Sequence, residues 1–315
     1  MDDSELKQPY HPSNCPQCKL PTQPDRPFCE RCHFDLRYGS VDRTLAGVCI
    51  YCERHATFSK EHIFPNWLRK IYPRRATKTD HELRRPERHA LWESVPVHSH
   101  TVLRTGEPYE QVALNVCAAC NNGWMSALQN DVKPLLIELA EGRWPELSND
   151  QCVQLARWCA MLAINFECFA RMLTTTQRQR SVLMAGDMPD GWRVSVGLMA
   201  DKKCAGNSFH RSIKAGIEVG EGDHIPLLST YFCIEGAVFY ALSSVSDDTL
   251  YWGLLAAGRS EMTLPTSGVW PIDHPFDKSL GTGLTRDDLL DIQRHFGPVD
   301  PCAHSAGAQN TANQP

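Results

Sequence analysis

Four Cys-x-x-Cys pairs are the residues of this sequence whose type and spacing point most directly to chemistry. Eight of the fourteen cysteines form them: Cys15/Cys18, Cys29/Cys32, Cys49/Cys52 and Cys117/Cys120. Two such pairs supply four thiolates, which close a tetrahedral shell around Zn²⁺. One isolated pair could be a redox motif, but four pairs on one chain favour zinc. The sequence therefore predicts two structural zinc sites.

Which pairs share a metal is open at this point. Residues 15–32 read C-x2-C-x10-C-x2-C, the pattern of a short zinc ribbon, and closing this short loop costs the least entropy. That grouping leaves Cys49/Cys52 to pair with Cys117/Cys120. The rival grouping joins Cys29/Cys32 to Cys49/Cys52 across sixteen residues and leaves the first pair for the last. We favour the local grouping, and we interpret five of the six other cysteines as core residues.

Glu61 and His62 stand between the third and fourth cysteine pairs, in the string KEHIFP (60–65). A histidine with a pKa near neutrality suits general-base catalysis, and a carboxylate oxygen suits a hard divalent cation. On an extended strand two adjacent side chains point to opposite faces, so a turn or bulge is needed to bring both to one site. A packing or surface role for His62 is the alternative. Similarly, Asn121, directly after the last pair, is either a metal ligand or a helix N-cap.

The strings CIYC (49–52), KEHIFP (60–65) and VCAACNNGW (116–124) stand in an order that resembles the HNH endonuclease family. In zinc-containing members of that family one Cys-x-x-Cys precedes an acid–His–Ile/Val–x–Pro motif, and a second runs directly into Asn. The resemblance covers residues 45–145 and implies a ββα-metal finger that hydrolyses DNA with Mg²⁺ or Mn²⁺. It implies that Glu61 and Asn121 bind the metal ion and that His62 is the general base. A role in bacterial defence or in a mobile element is implied by the resemblance alone.

A long insertion separates the two halves of this motif, because His62 and Cys117 are 55 positions apart. Residues 60–90 carry nine Lys or Arg against four acids, while the whole chain has a net charge of −5. Such a stripe suits contacts with a DNA backbone, although charge runs are also commonly solvated loops. The candidate DNA-binding residues are Arg69, Lys70, Arg74, Arg75, Lys78, Arg84 and Arg85. His98, His100 and Asn122 are substitute candidates for the metal site.

Hydrophobic periodicity and caps predict an α+β chain. A strand leads into the last cysteine pair, and the following helix is predicted to end before Pro134, with a further short helix at 135–140. Capping motifs predict helices over 148–173, from 174 to Gly186, and over 285–296. Strand-like runs are predicted at 192–199, 209–219, 227–234, 237–245 and 250–257. The predicted organisation is a zinc ribbon (12–40), an HNH-type module (45–145), an α+β domain without catalytic motifs (148–298) and a disordered tail (299–315).

Composition bounds the remaining function classes. The start MDDSELKQ has no basic segment followed by an apolar one, and the most apolar stretch, 152–173, carries charged residues. We therefore expect a cytoplasmic protein without a membrane partner. Two function hypotheses remain: a metal-dependent DNA endonuclease, and a non-catalytic zinc-finger module that binds nucleic acid or protein.

Overall fold

The chain forms two sheets and a set of helices, so the α+β prediction is confirmed. The computed structural model describes residues 46–73, 81–84, 109, 112–170, 174–216, 224–250, 266–272 and 282–295. Several predicted features lie outside the described residues: the ribbon with Cys15, Cys18, Cys29 and Cys32, the basic residues Arg74, Arg75, Lys78 and Arg85, the histidines His98 and His100, and the tail 299–315.

The first sheet has three antiparallel strands in the order β1-β2-β4. These are β1 (Ala46–Val48), β2 (His55–His62) and β4 (Val112–Cys117), and a short helix α1 (Asn66–Ile71) follows β2. The register of β2 and β4 shifts between Ser59, which faces Val116, and Glu61, which faces Ala113. A bulge with an extra residue on β4 therefore lies beside Glu61.

A helical segment leads directly out of β4. It consists of α2 (Ala118–Cys120), an irregular turn (Asn121–Met125) in which Gly123 has non-helical dihedrals, and α3 (Ser126–Ala140). α3 continues through Pro134, so the predicted break there is wrong. Proline removes the hydrogen bond to the carbonyl four residues earlier. That residue, Asn130, is exposed, which leaves its carbonyl open to water.

The second sheet has seven strands in the order β10-β5-β8-β7-β6-β3, with β9 also paired to β5. Its strands β5 (Trp192–Met199), β6 (Ser208–Gly216), β7 (His224–Ile234) and β8 (Ala237–Ser243) confirm four predicted strands, and β9 (Ser267–Trp270) and β10 (Thr282–Leu284) were not predicted. β3 (His81–Arg84) comes from the basic insertion and pairs in parallel with β6. Part of the insertion thus forms an edge of this sheet. Of the predicted strand 250–257 only Leu250 is described, and it is helical, so the predicted start of that strand is wrong.

Three further helices begin at capping residues. The caps Ser148 and Thr285 were predicted, and the cap of the remaining helix lies two residues after the predicted start at 174. α4 (Asn149–Ala170) begins after Ser148, and the side chains of Ser148 and Gln151 each accept a hydrogen bond from the other's backbone N–H. α5 (Gln177–Ala185) has a capping box at Thr176 and ends at Gly186, which has a left-handed φ of 115°. α6 (Arg286–His295) is capped reciprocally by Thr285 and Asp288.

One continuous core joins the cysteine-bearing sheet to the larger sheet. Phe64, which follows β2, makes edge-to-face contacts with Phe166 of α4 and Phe232 of β7. The packing therefore crosses the predicted domain boundary near residue 148. A second cluster, which includes Phe209 and Leu289, lies separately. Among the described helices none combines the length and the apolar character that crossing a membrane requires.

Candidate functional site

Cys49, Cys52, Cys117 and Cys120 form a compact thiol cluster. Their four sulfur atoms all lie within 4.8 Å of one another, and the Sγ atoms of Cys52 and Cys117 are 3.7 Å apart. Four thiolates in this arrangement could hold a metal ion such as zinc. In the part of the chain that the structure describes, no other set of three or more His, Cys, Asp or Glu side chains is gathered in this way. Of the two groupings left open above, the structure has the third pair facing the fourth.

Each cysteine pair is held by a tight turn or a helix start. Cys49 exchanges backbone hydrogen bonds with the end of its own turn, to Arg54 at 3.0 Å and from Glu53 at 3.0 Å. Glu53 takes a left-handed φ of 56°, which reverses the chain into β2. In the other pair, Cys117 is the N-cap of α2, and its Sγ accepts from the backbone N–H of Cys120 at 3.4 Å. The cluster thereby joins the start of the β2 hairpin strand to the start of the helix.

The thiols differ in their acidity because their hydrogen bonds differ. Burial alone would raise the pKa of Cys49, but hydrogen bonds from the backbone at Cys117, Cys52 and Tyr51 outweigh it and lower that pKa to about 7. For Cys120, burial and the nearby charge of Cys49 raise the pKa. Cys49 is therefore better prepared than Cys120 to bind a cation as a thiolate.

Glu61 lies at the end of β2 and is buried, with only 2% of its surface exposed. Among the described residues its Oε1 accepts one hydrogen bond, from Nε2 of Gln129 on α3 at 3.4 Å. Burial raises the pKa of this carboxyl to about 7, and the hydrogen bond from Gln129 opposes the rise. A carboxylate at this position thus has one neutral donor to compensate its charge.

Asn121 lies on the same side of β2 as Glu61. Its Nδ2 donates to Oγ of Ser59 at 3.0 Å, and Ser59 donates in turn to the carbonyl of Val116 at 3.0 Å. Ser59 and Glu61 are two residues apart on the strand and share a face. Among the described residues, no donor contacts Oδ1 of Asn121. This oxygen is therefore open to a further partner, while Asn122 next to it is exposed.

His62 is the last residue of β2 and is half-buried. Strand alternation directs its Cβ to the face opposite Glu61. A bulge is present beside Glu61, as the shared site of Glu61 and His62 would require, but it lies on β4 and leaves the alternation along β2 intact. The structure therefore brings Glu61 and Asn121 to one face and does not place His62 on it.

The three candidate DNA-binding residues that the structure describes lie on two elements. Arg69 and Lys70 occupy the last turn of α1, where Arg69 donates to Oδ1 of Asn66 at 3.1 Å, and Arg84 ends β3. Sequence reasoning missed Lys133, whose Nζ lies 5.2 Å above the ring of Trp67 on α1. It also missed Ser59 and Gln129, because their contacts with Asn121 and Glu61 form only in the tertiary fold.

Comparison with protein-family models, with curated proteins and with solved structures finds no significant match for this chain. A function for this chain is therefore inferred from its residues and their geometry.

Proposed function

We propose that this chain is a metal-dependent endonuclease of the HNH type, with Glu61 and Asn121 as ligands of a divalent cation. The observation that carries the proposal is the contact between Asn121 and Ser59 at 3.0 Å. It holds the helix start against the face of β2 on which Glu61 lies. The four-cysteine cluster stabilises this junction, because it clamps the hairpin to the helix at the residue before Asn121.

The donor set fits Mg²⁺ or Mn²⁺. Both cations prefer oxygen ligands, and the pair offers a carboxylate and an amide oxygen. In the part of the chain that the structure describes, Glu61 has a single hydrogen-bond donor and Oδ1 of Asn121 has none. A buried carboxylate that lacks a compensating charge is stabilised by a cation. When bound, the ion would supply Lewis-acid stabilisation of charge on a phosphate oxygen.

The remaining chemistry is assigned to protein side chains. We assign the proton of the attacking water to an unprotonated ring nitrogen of His62; because strand alternation directs its Cβ away from Glu61, this role requires the ring to turn at the end of β2 towards the face of Glu61. Arg69 and Lys70 on α1, together with Arg84 on β3, bind the phosphate backbone of DNA. The same basic segment continues in residues that are candidates for DNA binding from the sequence alone: Arg74, Arg75, Lys78 and Arg85.

Cleavage of supercoiled plasmid tests the proposal. Full-length zinc-loaded protein is assayed with Mg²⁺, with Mn²⁺ and with EDTA, beside His62→Ala and the matched control His55→Ala, an exposed histidine of the same strand. We expect cation-dependent cleavage, a loss of about 100-fold or more in His62→Ala and no change in His55→Ala. Cation-independent cleavage, or full activity of His62→Ala at equal zinc content, contradicts the mechanism.

One observation favours a second candidate, a zinc-stabilised binding module without catalysis. Glu61 is almost fully buried, and both Glu61 and Asn121 make hydrogen bonds that join β2 to the helix. Side chains that join a strand to a helix in this way stabilise the module whether or not it cleaves DNA. Absence of plasmid cleavage by wild type, together with salt-dependent DNA binding that Arg69→Ala and Lys70→Ala weaken, would favour this candidate.

A further inference from the structure

Two side chains of α5 hold the turn that carries the first two thiols of the cysteine cluster. Nε of Arg180 donates to the carbonyl of Ile50 at 2.8 Å, and Nε2 of Gln177 donates to the carbonyl of Tyr51 at 2.9 Å. Ile50 and Tyr51 are the two residues between Cys49 and Cys52. More than 120 positions separate α5 from this turn, so these are contacts of the tertiary fold.

The two carbonyls that α5 contacts belong to adjacent peptide groups. The carbonyl of Ile50 shares its planar peptide group with the N–H of Tyr51, and the carbonyl of Tyr51 shares one with the N–H of Cys52. In a trans peptide group the C=O and N–H bonds point in opposite directions. The backbone at Tyr51 and Cys52 also lowers the pKa of the Cys49 thiol. α5 thus holds two of the peptide groups that link one candidate metal ligand, Cys49, to the next, Cys52.

The two side chains are themselves fixed. Arg180 is 9% exposed, and its Nη2 donates to Oε1 of Gln177 at 2.8 Å, so the pair acts as one unit. Its Nη1 donates to the carbonyl of Thr175, whose hydroxyl donates to the fully buried carboxylate of Glu167 at 2.6 Å. This network ties the position of the guanidinium to the end of α4.

The opposite side of α5 is attached to the larger sheet. Nε2 of Gln179 donates to the carbonyl of Asp190 at 2.9 Å and to that of Ser244, which lie beside the ends of β5 and β8. The helix therefore bridges the cysteine cluster and the seven-stranded sheet. Its polar side chains contact backbone carbonyls at both ends of this bridge.

We propose that Gln177 and Arg180 are positioning residues of a metal centre at the four cysteines, and that they set how long the centre retains zinc. They fix the two peptide groups on either side of Tyr51, in the turn between Cys49 and Cys52, and so keep both thiols in their ligating positions. Groups that orient metal ligands from outside the first shell commonly change metal affinity by 10–100-fold. Linkage requires the reciprocal effect, so zinc should stabilise α5 and its contacts with the sheet.

Zinc release from the full-length protein into excess chromophoric chelator tests this inference. Cys52→Ser removes one ligand of this centre. The phase of zinc release that is lost in this variant therefore belongs to this centre. We expect Arg180→Met to accelerate that phase about tenfold or more, while Arg178→Met, at an exposed position on the same helix, leaves it unchanged. Hydrogen exchange of residues 177–185 should rise when zinc is removed.

Gln177→Glu separates positioning from general stabilisation. The substitution keeps the shape of the side chain and strengthens its pairing with Arg180, but it places a carboxylate oxygen against the carbonyl of Tyr51. A purely structural role predicts unchanged or slower release, whereas positioning predicts faster release and an altered thiolate absorption of the Co²⁺-substituted centre. If Arg180→Met does not fold, Gln177→Glu alone decides.

Release rates within twofold of wild type in Gln177→Glu and Arg180→Met would overturn the inference, as would a wild-type protein that holds no zinc at these cysteines. The readout is zinc and not DNA cleavage. A failure here therefore leaves the endonuclease proposal standing, and a protein that does not cleave DNA leaves this inference standing.

Discussion

At the scale of single residues, Cys52 offers the cleanest test of the metal centre because it is the one half-buried thiol of the four. Its Sγ lies 3.7 Å from that of Cys117, so it contributes directly to the cluster. Cys52→Ser replaces a thiolate with a hydroxyl that binds zinc poorly, and the binding free energy of a structural zinc is also folding free energy. We expect zinc content to fall by one ion per chain and the Tm to drop.

Cys152→Ser is the matched control, because Cys152 is a buried thiol of α4 that does not belong to the cluster. Zinc content measured after unfolding in the presence of a chromophoric chelator should equal that of wild type in this variant. Equal zinc content in Cys52→Ser would contradict the metal centre. Two ions per chain in wild type would support the further ribbon site that the sequence predicts.

The cysteine cluster could be predicted from residue spacing, because the two cysteines of each pair lie within one turn or one helix start. The partners of the other site residues were not predictable in the same way. Asn121 contacts a residue 62 positions away, Gln129 one 68 positions away, and Arg180 one 130 positions away. Nothing in the local pattern around an exposed-looking Arg or Gln on a helix indicates such a contact, since only the tertiary fold creates it.

At the scale of elements, α3 tests whether a proline inside a helix costs stability here. Pro134 is the ninth of fifteen residues and is exposed. Alanine would restore the hydrogen bond to the carbonyl of Asn130 and remove the steric clash of the ring. We expect Pro134→Ala to raise the free energy of unfolding by about 1–3 kcal/mol, measured by urea denaturation.

Asn130→Ala on the same helix is the control for intrinsic propensity alone, and it should change the free energy of unfolding by only about 0.5 kcal/mol. A destabilised Pro134→Ala would mean that the ring is required to set the path of α3. The same helix shows where local prediction fails, because packing of Leu128, Val132 and Leu136 carries it through a residue that normally ends a helix.

Elements with local end signals were predicted closely, and those without them were not. The predicted caps Ser148 and Thr285 stand at the starts of α4 and α6, while the cap of α5, Thr176, lies two residues after the predicted start at 174. β3, in contrast, is four residues long and lies in a charged segment, and its partner strand β6 begins more than 100 positions later. A strand that is stabilised by pairing with so distant a partner carries little signal in its own residues.

At the scale of the whole molecule, the core joins both sheets through α4, and His210 lies inside this junction. His210 of β6 is fully buried, stacks on Phe166 of α4 and has its Nδ1 2.7 Å from Oγ1 of Thr230. Burial lowers its pKa from the usual 6.5 to about 3. The unfolded chain therefore binds a proton below pH 6.5 that the folded protein excludes, so stability is complete above pH 6.5 and falls towards pH 3.

Glu167 follows Phe166 on α4, and its titration changes the stability in the opposite direction to that of His210. Burial raises the pKa of its carboxyl, although hydrogen bonds from Thr174 and Thr175 oppose the rise. The folded protein therefore holds this proton more tightly than the unfolded chain, and Glu167 favours folding as the pH falls. A measured pH profile of wild type contains both contributions, so a variant is needed to isolate His210.

His210→Asn keeps a polar side chain beside Thr230 but has no group that titrates near pH 6.5. We expect this variant to be less stable at pH 7.5, since it loses the ring that stacks on Phe166, and to respond less steeply to acid. Between pH 6.5 and pH 5 wild type should lose about 1.6 kcal/mol more than His210→Asn, because the slope of 1.36 kcal/mol per pH unit is reached only well below the pKa of the unfolded state. Urea denaturation followed both by far-UV circular dichroism and by tryptophan fluorescence measures the difference. Parallel pH profiles of the two proteins would mean that His210 takes up its proton in the folded state, and the junction between the sheets would then have to open locally to water.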